Sequence, residues 1–234
     1  ELSGHRFNKY RSYLMMLFNE LIEIEATEMD PVTKIKKQKT IQQIRVTLSP
    51  EERKLIDAHL KRKTYNFWRL MQIFFHSGAR EIEMINLQAK DVDLFNQRFK
   101  VLVNKGKSSR WVQHTIKDIS LPLWQELMAL CTNDEHYVFS VGLVPGVKAI
   151  RADQITKRWY RHVKAPVKNG GLGIKADFYS LKHLNTTQML DVLSDADVAK
   201  MNEHTSTAMV INIYDVDRTD RQHNRLKKVF NSFS

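Results

Sequence analysis

Along this chain, a few residue types recur at intervals that could do chemistry on a phosphate. Arg80 stands in Phe75-His76-Ser77-Gly78-Ala79-Arg80-Glu81-Ile82-Glu83-Met84, just past a Gly-containing turn. A guanidinium carries a permanent charge and a planar fork of donors, the shape best suited to a phosphate. The same Arg could equally do no more than cap its helix or pair with Glu83. Lys105 and Lys107 lie in Lys105-Gly106-Lys107-Ser108-Ser109; taken alone, lysines in such a loop mean only solubility. Tyr179-Ser180-Leu181-Lys182-His183 sets Tyr179 and Lys182 three residues apart, on one face of a helix. His204 follows in Glu203-His204-Thr205, and Tyr214 comes ten residues after it. A lone helical Tyr is most often a core residue with a wet hydroxyl. No metal site is expected: the nine His are scattered without a His-x-x-x-His pair, and the single Cys131 excludes a multi-thiolate zinc site or a disulfide framework.

These residues need elements to hold them. Residues 6–27 carry Tyr10, Tyr13, Leu14, Leu17, Phe18, Leu21, Ile22 and Ile24 as one helical stripe, stopped by Pro31. Lys34 to Thr40 is basic without apolar periodicity and reads as a linker. Ser49-Pro50-Glu51-Glu52 opens a helix to about Lys61, with a capping Ser, a Pro in the first turn and acids at the positive end of the dipole. Tyr65 to His76 is apolar nearly all round, as a central core helix is. A helix begins at Glu81 and runs to Leu87. Val92–Val103 and Arg110–Leu121 alternate like strands joined by the Gly106 loop, so a hairpin is expected. Further helices are expected over Pro122–Leu130, Gln154–Val163, Tyr179–Leu193, Ala196–Glu203 and Thr207–Tyr214. The sum is a mainly α fold with a small antiparallel β-sheet (α+β).

The chain has 234 residues, 37 Lys or Arg against 26 Asp or Glu, and a formal net charge of +11. An apolar fraction of 42% with 27% charged residues is that of a globular protein, and only eight Gly and five Pro disfavour a turn-rich sandwich. With no apolar run of 18 residues and no leader-like start, a soluble, reduced, cytoplasmic setting without membrane contact is expected. The positive charge is clustered. Lys34–Lys63 holds ten basic residues against three acids, Arg98–Lys117 six against none, and Lys148–Lys175 eight against Asp153 alone. One such run is as well explained by a solvated face; three of them favour phosphate contact and make double-stranded DNA the expected partner. Lys34, Lys36, Lys37, Lys107, Arg110, Lys157, Arg158 and Arg161 are the candidate DNA contacts.

The ordered set of Gly78-Ala79-Arg80-x-x-Glu83, a hairpin Lys, a Leu181-Lys182-His183 helix, a His and then a Tyr resembles the catalytic domain of the tyrosine recombinases, the phage-integrase family, over roughly residues 45–220. The resemblance implies roles. Arg80 matches the first catalytic Arg, Lys105 the hairpin Lys with Lys107 as its rival, His204 the His-or-Trp position and Tyr214 the nucleophile. Two departures stand out. The family's His-x-x-Arg is Tyr179-Ser180-Leu181-Lys182 here, and the His204-to-Tyr214 spacing is one residue longer than is common. The domains implied are 1–30 as the last helix of a truncated core-binding domain, 31–47 as a basic linker, 48–217 as the catalytic domain, and 218–234 as a tail.

The resemblance implies a site-specific recombinase or integrase that cuts and rejoins DNA through a 3′-phosphotyrosyl intermediate, with no cofactor. A diverged relative that binds DNA but cuts weakly or not at all is the alternative, resting on Tyr179 and Lys182. An unrelated helical regulator or RNA-binding protein is a third. Assembly would be a tetramer on paired DNA sites and a monomer in free solution. The tail, with Leu226, Val229 and Phe230 in an apolar stripe, would be exchanged between protomers or fold back on its own domain.

Overall fold

Serine and asparagine side chains tie down the N-terminal half of the first helix. In the computed structural model, which describes residues 2–40, 47–105, 108–203, 206–208, 210, 223 and 227, the chain divides into two compact units, Glu1–Arg45 and Val46–Ser234. The side chains of Lys105 and Ser108 lie outside the described set, as do His204, Tyr214 and Lys107 entirely. In the first unit, α1 (Gly4–Glu23) starts on Ser3, whose side chain accepts from the Arg6 N–H. Residues 33–38, expected as a linker, instead run back along α1. The Asn8 amide donates to the Gln38 carbonyl at 2.8 Å and accepts from its N–H at 2.9 Å, and the Arg11 guanidinium donates to the Ile35 carbonyl at 2.5 Å. Tyr10, Tyr13, Leu14 and Leu17 of the expected apolar stripe are each about half exposed.

The second unit opens where the local chemistry says it should. Ser49 caps α2 (Pro50–Lys63): its hydroxyl accepts from Glu52 N–H at 3.2 Å while the Glu52 carboxylate takes the Ser49 N–H at 2.9 Å. The apolar run after it forms α3 (Tyr65–Ser77), with Phe67, Leu70, Ile73 and Phe74 fully buried. Each such side chain contributes about 1.5–3 kcal/mol by leaving water. Gly78 ends α3 in the left-handed conformation (φ 69°), and a Cβ there would lie 2.9 Å from the Met201 carbonyl oxygen. Then come the short α4 (Glu81–Ile85) and three antiparallel strands in the order β1 (Val92–Asp93), β2 (Arg98–Lys105), β3 (Ser108–Thr115).

The first expected strand is thus two. Between them the Asp93 carboxylate accepts the Asn96 N–H at 3.0 Å, and Gln97 turns the chain at φ 49°. Phe95 projects from that turn, 95% exposed. In the hairpin Val101 pairs with Val112 and Phe99 with His114; all four pack inward, while Leu102 and Trp111 face solvent. After α5 (Leu121–Met128), α6 (Ala152–Trp159) continues into a single π turn, Tyr160–Lys164, so the helix expected to Val163 changes pitch midway. Gly171 lets the following loop approach α6: a Cβ there would meet the Ala165 carbonyl oxygen at 2.2 Å. Phe178, stacked on Phe74 at 4.6 Å and edge-on to Trp159, fixes the start of α7 (Ser180–Val192). α8 (Asp195–Met201) then packs on α7 through a small second core of Leu190, Val198, Ala199 and Val210. The expected helix over Thr207–Tyr214 falls mostly outside the described residues. The architecture is mainly helical with one small antiparallel sheet.

Candidate active site

The site is built around the turn after α3. Because Gly78 is left-handed, Ala79 and Arg80 leave α3 at a sharp angle, and Arg80 enters α4 in extended backbone. Glu83, one turn on, is buried beneath it. Its two oxygens take the Arg80 N–H at 2.6 Å and the Arg80 guanidinium at 2.5 Å. The Arg80 side chain keeps 34% of its surface exposed while that of Glu83 keeps 3%. The guanidinium is therefore anchored on Glu83 while about a third of the side-chain surface stays exposed. His114 Nε2 lies 3.7 Å from Glu83 Oε2, the oxygen that accepts the Arg80 N–H, too long for a hydrogen bond but close enough to favour negative charge. Burial alone would raise the Glu83 carboxyl. His114, the Arg80 N–H and the Arg80 guanidinium outweigh that and hold it at about 2.

Lys182 comes to the same turn from α7, 104 residues downstream, and its ammonium donates to the Gly78 carbonyl. The side chain is almost wholly buried. Burial lowers its pKa to about 8; Glu83 and Glu203 act to raise it, and Arg80 to lower it further. A buried chain of hydrogen bonds secures its helix. Thr186 donates to the Lys182 carbonyl at 2.8 Å, and Asn202, just past α8, donates to the Thr186 hydroxyl at 2.9 Å. Tyr179 begins α7 one turn earlier, half-buried, its ring edge-on to His183 at 5.5 Å.

Beside Arg80 opens a cleft of about 310 Å³, lined by Arg80, Glu83 and Asn86 on one side and Leu102, Val103 and Asn104 of β2 on the other. Lys105 is the next residue of β2, so the strand brings its backbone to the end of this cleft. From β3, the Arg110 guanidinium reaches the Glu203 carbonyl oxygen at 3.4 Å and its carboxylate at 3.5 Å. Glu203 has φ 57° and immediately precedes His204. Arg80, Lys182, Arg110 and the lysine-bearing strand thus gather at one place. The sequence reading missed Glu203 and His114 there; a non-Gly residue in a left-handed turn leaves no mark in the sequence.

Two further groups near the turn are shifted by burial. His76 falls to about 4, helped by the Lys117 charge; Glu81 rises to about 7, partly offset by a hydrogen bond from Thr156 of α6. Among the described residues no cluster of His, Cys, Asp or Glu could hold a metal ion. None of the described helices is long and apolar enough to cross a membrane.

The candidate DNA contacts differ in availability. Lys34, Lys36 and Lys37 are exposed in the first unit. On α6 and its π turn, Lys157 is paired with Asp153 at 2.9 Å and Arg161 is exposed. Arg158 is half-buried and folded back on Gln154, donating to its backbone and side-chain oxygens at 3.1 Å each, so it faces its own helix.

The model of the phage integrase family matches residues 45–221. None of the curated proteins matches the chain in sequence. Among solved structures, the chain is similar to XerA recombinase, at 18% identity and a TM-score of 0.61, over 99% of this chain and 85% of that one. A lambda integrase dimer bound to a COC′ core site aligns at 14% identity and a TM-score of 0.67, over 99% of this chain and 77% of that one. The Tn1549 transposon integrase in complex with transposon right end DNA aligns at 14% identity and a TM-score of 0.66, over 97% and 80%. At these identities the likeness is one of fold.

Proposed function

The chain belongs to the phage integrase family, and from that premise we propose that it is a site-specific tyrosine recombinase that cuts and rejoins DNA strands. The observation that carries this reading is the convergence of Arg80 and Lys182, far apart in sequence, on the Gly78 turn beside the hairpin cleft. In the proposed reaction the Tyr214 hydroxyl oxygen attacks a backbone phosphorus and releases its proton to solvent water, a phosphotyrosyl bond forms on the 3′ side, and the P–O bond to the 5′ oxygen breaks. The departing oxygen takes a proton from the hairpin Lys105, with Lys107 as its rival, and leaves as a hydroxyl. The covalent bond conserves the phosphodiester energy for rejoining. Negative charge grows on the non-bridging oxygens, where fixed cations lower the barrier most. Arg80 meets that need directly, since Glu83 anchors it beside the hairpin cleft with about a third of its side chain exposed. Lys182 adds its charge from behind the turn, and His204 and Tyr179 donate hydrogen bonds. Tyr179 brings a phenol hydroxyl where the family has an imidazole, so it offers a hydrogen-bond donor in place of a ring-nitrogen base.

As DNA contacts, Lys34, Lys36 and Lys37 of the first unit, and Lys107, Arg110, Lys157 and Arg161 of the second, would each act on backbone phosphates of double-stranded DNA. The working assembly would be a tetramer on paired sites, a form in which one of the similar structures, a lambda integrase tetramer bound to a Holliday junction, was solved. In free solution the chain would be a monomer. Segment 218–234 would be a tail exchanged between protomers.

A DNA-binding relative with weak or no cleavage is the second reading. It draws on one observation: the Lys182 ammonium is turned inward to the Gly78 carbonyl, where the family supplies a guanidinium. A nicked duplex whose short fragment carrying the new 5′-hydroxyl diffuses away after cleavage separates the two. Covalent protein–DNA adduct with the natural chain and none with Tyr214→Phe supports the enzyme. Binding without adduct supports the second reading.

A further inference from the structure

Glu203 is an anion among cations. Its carboxylate is mostly enclosed, 18% exposed, and lies 3.5 Å from Arg110 of β3. Its charge also acts on Lys182 of α7. The backbone pays for this placement: Glu203 sits at φ 57°, a conformation that favours Gly. Its carbonyl oxygen meets the same Arg110 nitrogen at 3.4 Å. Asn202, its neighbour, is tied through Thr186 to the Lys182 backbone. One residue therefore joins three things: the hairpin strand that follows the lysine loop, the helix of Lys182, and the turn that leads into His204.

An ion pair of this kind offers the cations what a phosphodiester would offer, a negative oxygen at hydrogen-bond range. We infer that Glu203 is a positioning residue, a latch that holds Arg110 and the β2–β3 hairpin in the DNA-free protein and yields Arg110 to a DNA phosphate when a duplex enters the cleft. The inference rests on the recombinase reading for the identity of the incoming anion. Glu203 touches neither the scissile bond nor the leaving group. It sets where the hairpin lies before DNA arrives, and it competes with DNA for one cation.

The test uses the whole chain with two variants of the latch. Glu203→Gln removes the charge and keeps the shape. Glu203→Gly removes the charge and also suits the left-handed turn, so it is not exposed to failure by misfolding there. Each should tighten duplex binding at moderate salt by about two- to fivefold, the range a partly exposed ion pair is worth. Each should also speed amide hydrogen exchange over 103–105 and 108–110 while leaving 98–101 unchanged. In an Arg110→Gln background the gain in binding should vanish, because the freed cation is gone. A gain of the same size in that background would make Glu203 an ordinary repulsive charge and overturn the inference. So would unchanged binding and unchanged exchange in both single variants. Failure of the natural chain to bind any duplex would instead sink the DNA reading, and hydrogen exchange alone would then decide whether the latch exists.

Discussion

At the scale of single residues, Lys182 departs furthest from what its family position suggests. The sequence shows a lysine where a fork of donors is usual; it does not show that the ammonium is buried under Gly78. Burial has a consequence for pH. The ammonium titrates near 8 in the fold, below the ordinary lysine value of 10.5, so its charge is present below about pH 8 and lost above it. If that charge assists cleavage, adduct formation should fall by about tenfold per pH unit above 8. Lys182→Arg should keep cleavage at pH 7 within about tenfold of the natural chain and abolish the alkaline fall, because a guanidinium stays charged. An alkaline limb that survives in Lys182→Arg belongs to another group, with Lys105 the first to examine.

At the scale of elements, what was legible is what local chemistry decides. The start of α2 could be read because Ser49, Pro50 and Glu52 act on one another within four residues. The apolar wall of α3 could be read because Phe67, Leu70, Ile73 and Phe74 recur at helical spacing and all are buried. The strand over 92–103 was misread because its turn uses no Gly; Gln97 is held in a left-handed conformation, its amide donating to the Asp118 carboxylate at 2.7 Å, which nothing near it in sequence announces. The basic stretch after Pro31 looked like a linker because it lacks periodicity, yet its carbonyls satisfy Asn8 and Arg11 of α1. In the site, Arg80 and Lys182 were found through a resemblance of ordered motifs, while the Arg110–Glu203 contact, 93 residues apart, was beyond any local signal. The Gly78 turn is where element geometry governs chemistry. Gly78→Ala must place a β-carbon at positive φ and against the Met201 carbonyl. We expect it to lose about 1–2 kcal/mol of stability in urea unfolding and to lower cleavage more than DNA affinity, since it displaces Arg80 without removing a charge.

At the scale of the whole molecule, charge distribution makes the prediction. With three basic runs and a net +11, DNA affinity should rest on phosphate contact. If about six phosphates are neutralised, affinity should drop roughly 10³-fold between 50 and 200 mM salt. A nearly flat response in a filter-binding or anisotropy titration would remove DNA as the partner. The tail yields a separate expectation. Deleting residues 219–234 should leave binding to a single site nearly intact and weaken cooperative binding to paired sites; equal loss of both would mean that the tail completes its own domain.

The four tryptophans are unevenly placed. Trp68, Trp124 and Trp159 are at most 9% exposed, whereas Trp111 is 58% exposed on β3, next to Arg110. Iodide, which cannot enter the core, should therefore quench chiefly Trp111, and the protein carries its own optical probe on the hairpin. Shielding of that fluorescence as duplex is added would follow engagement of the hairpin in real time, without a label on the protein or on the DNA.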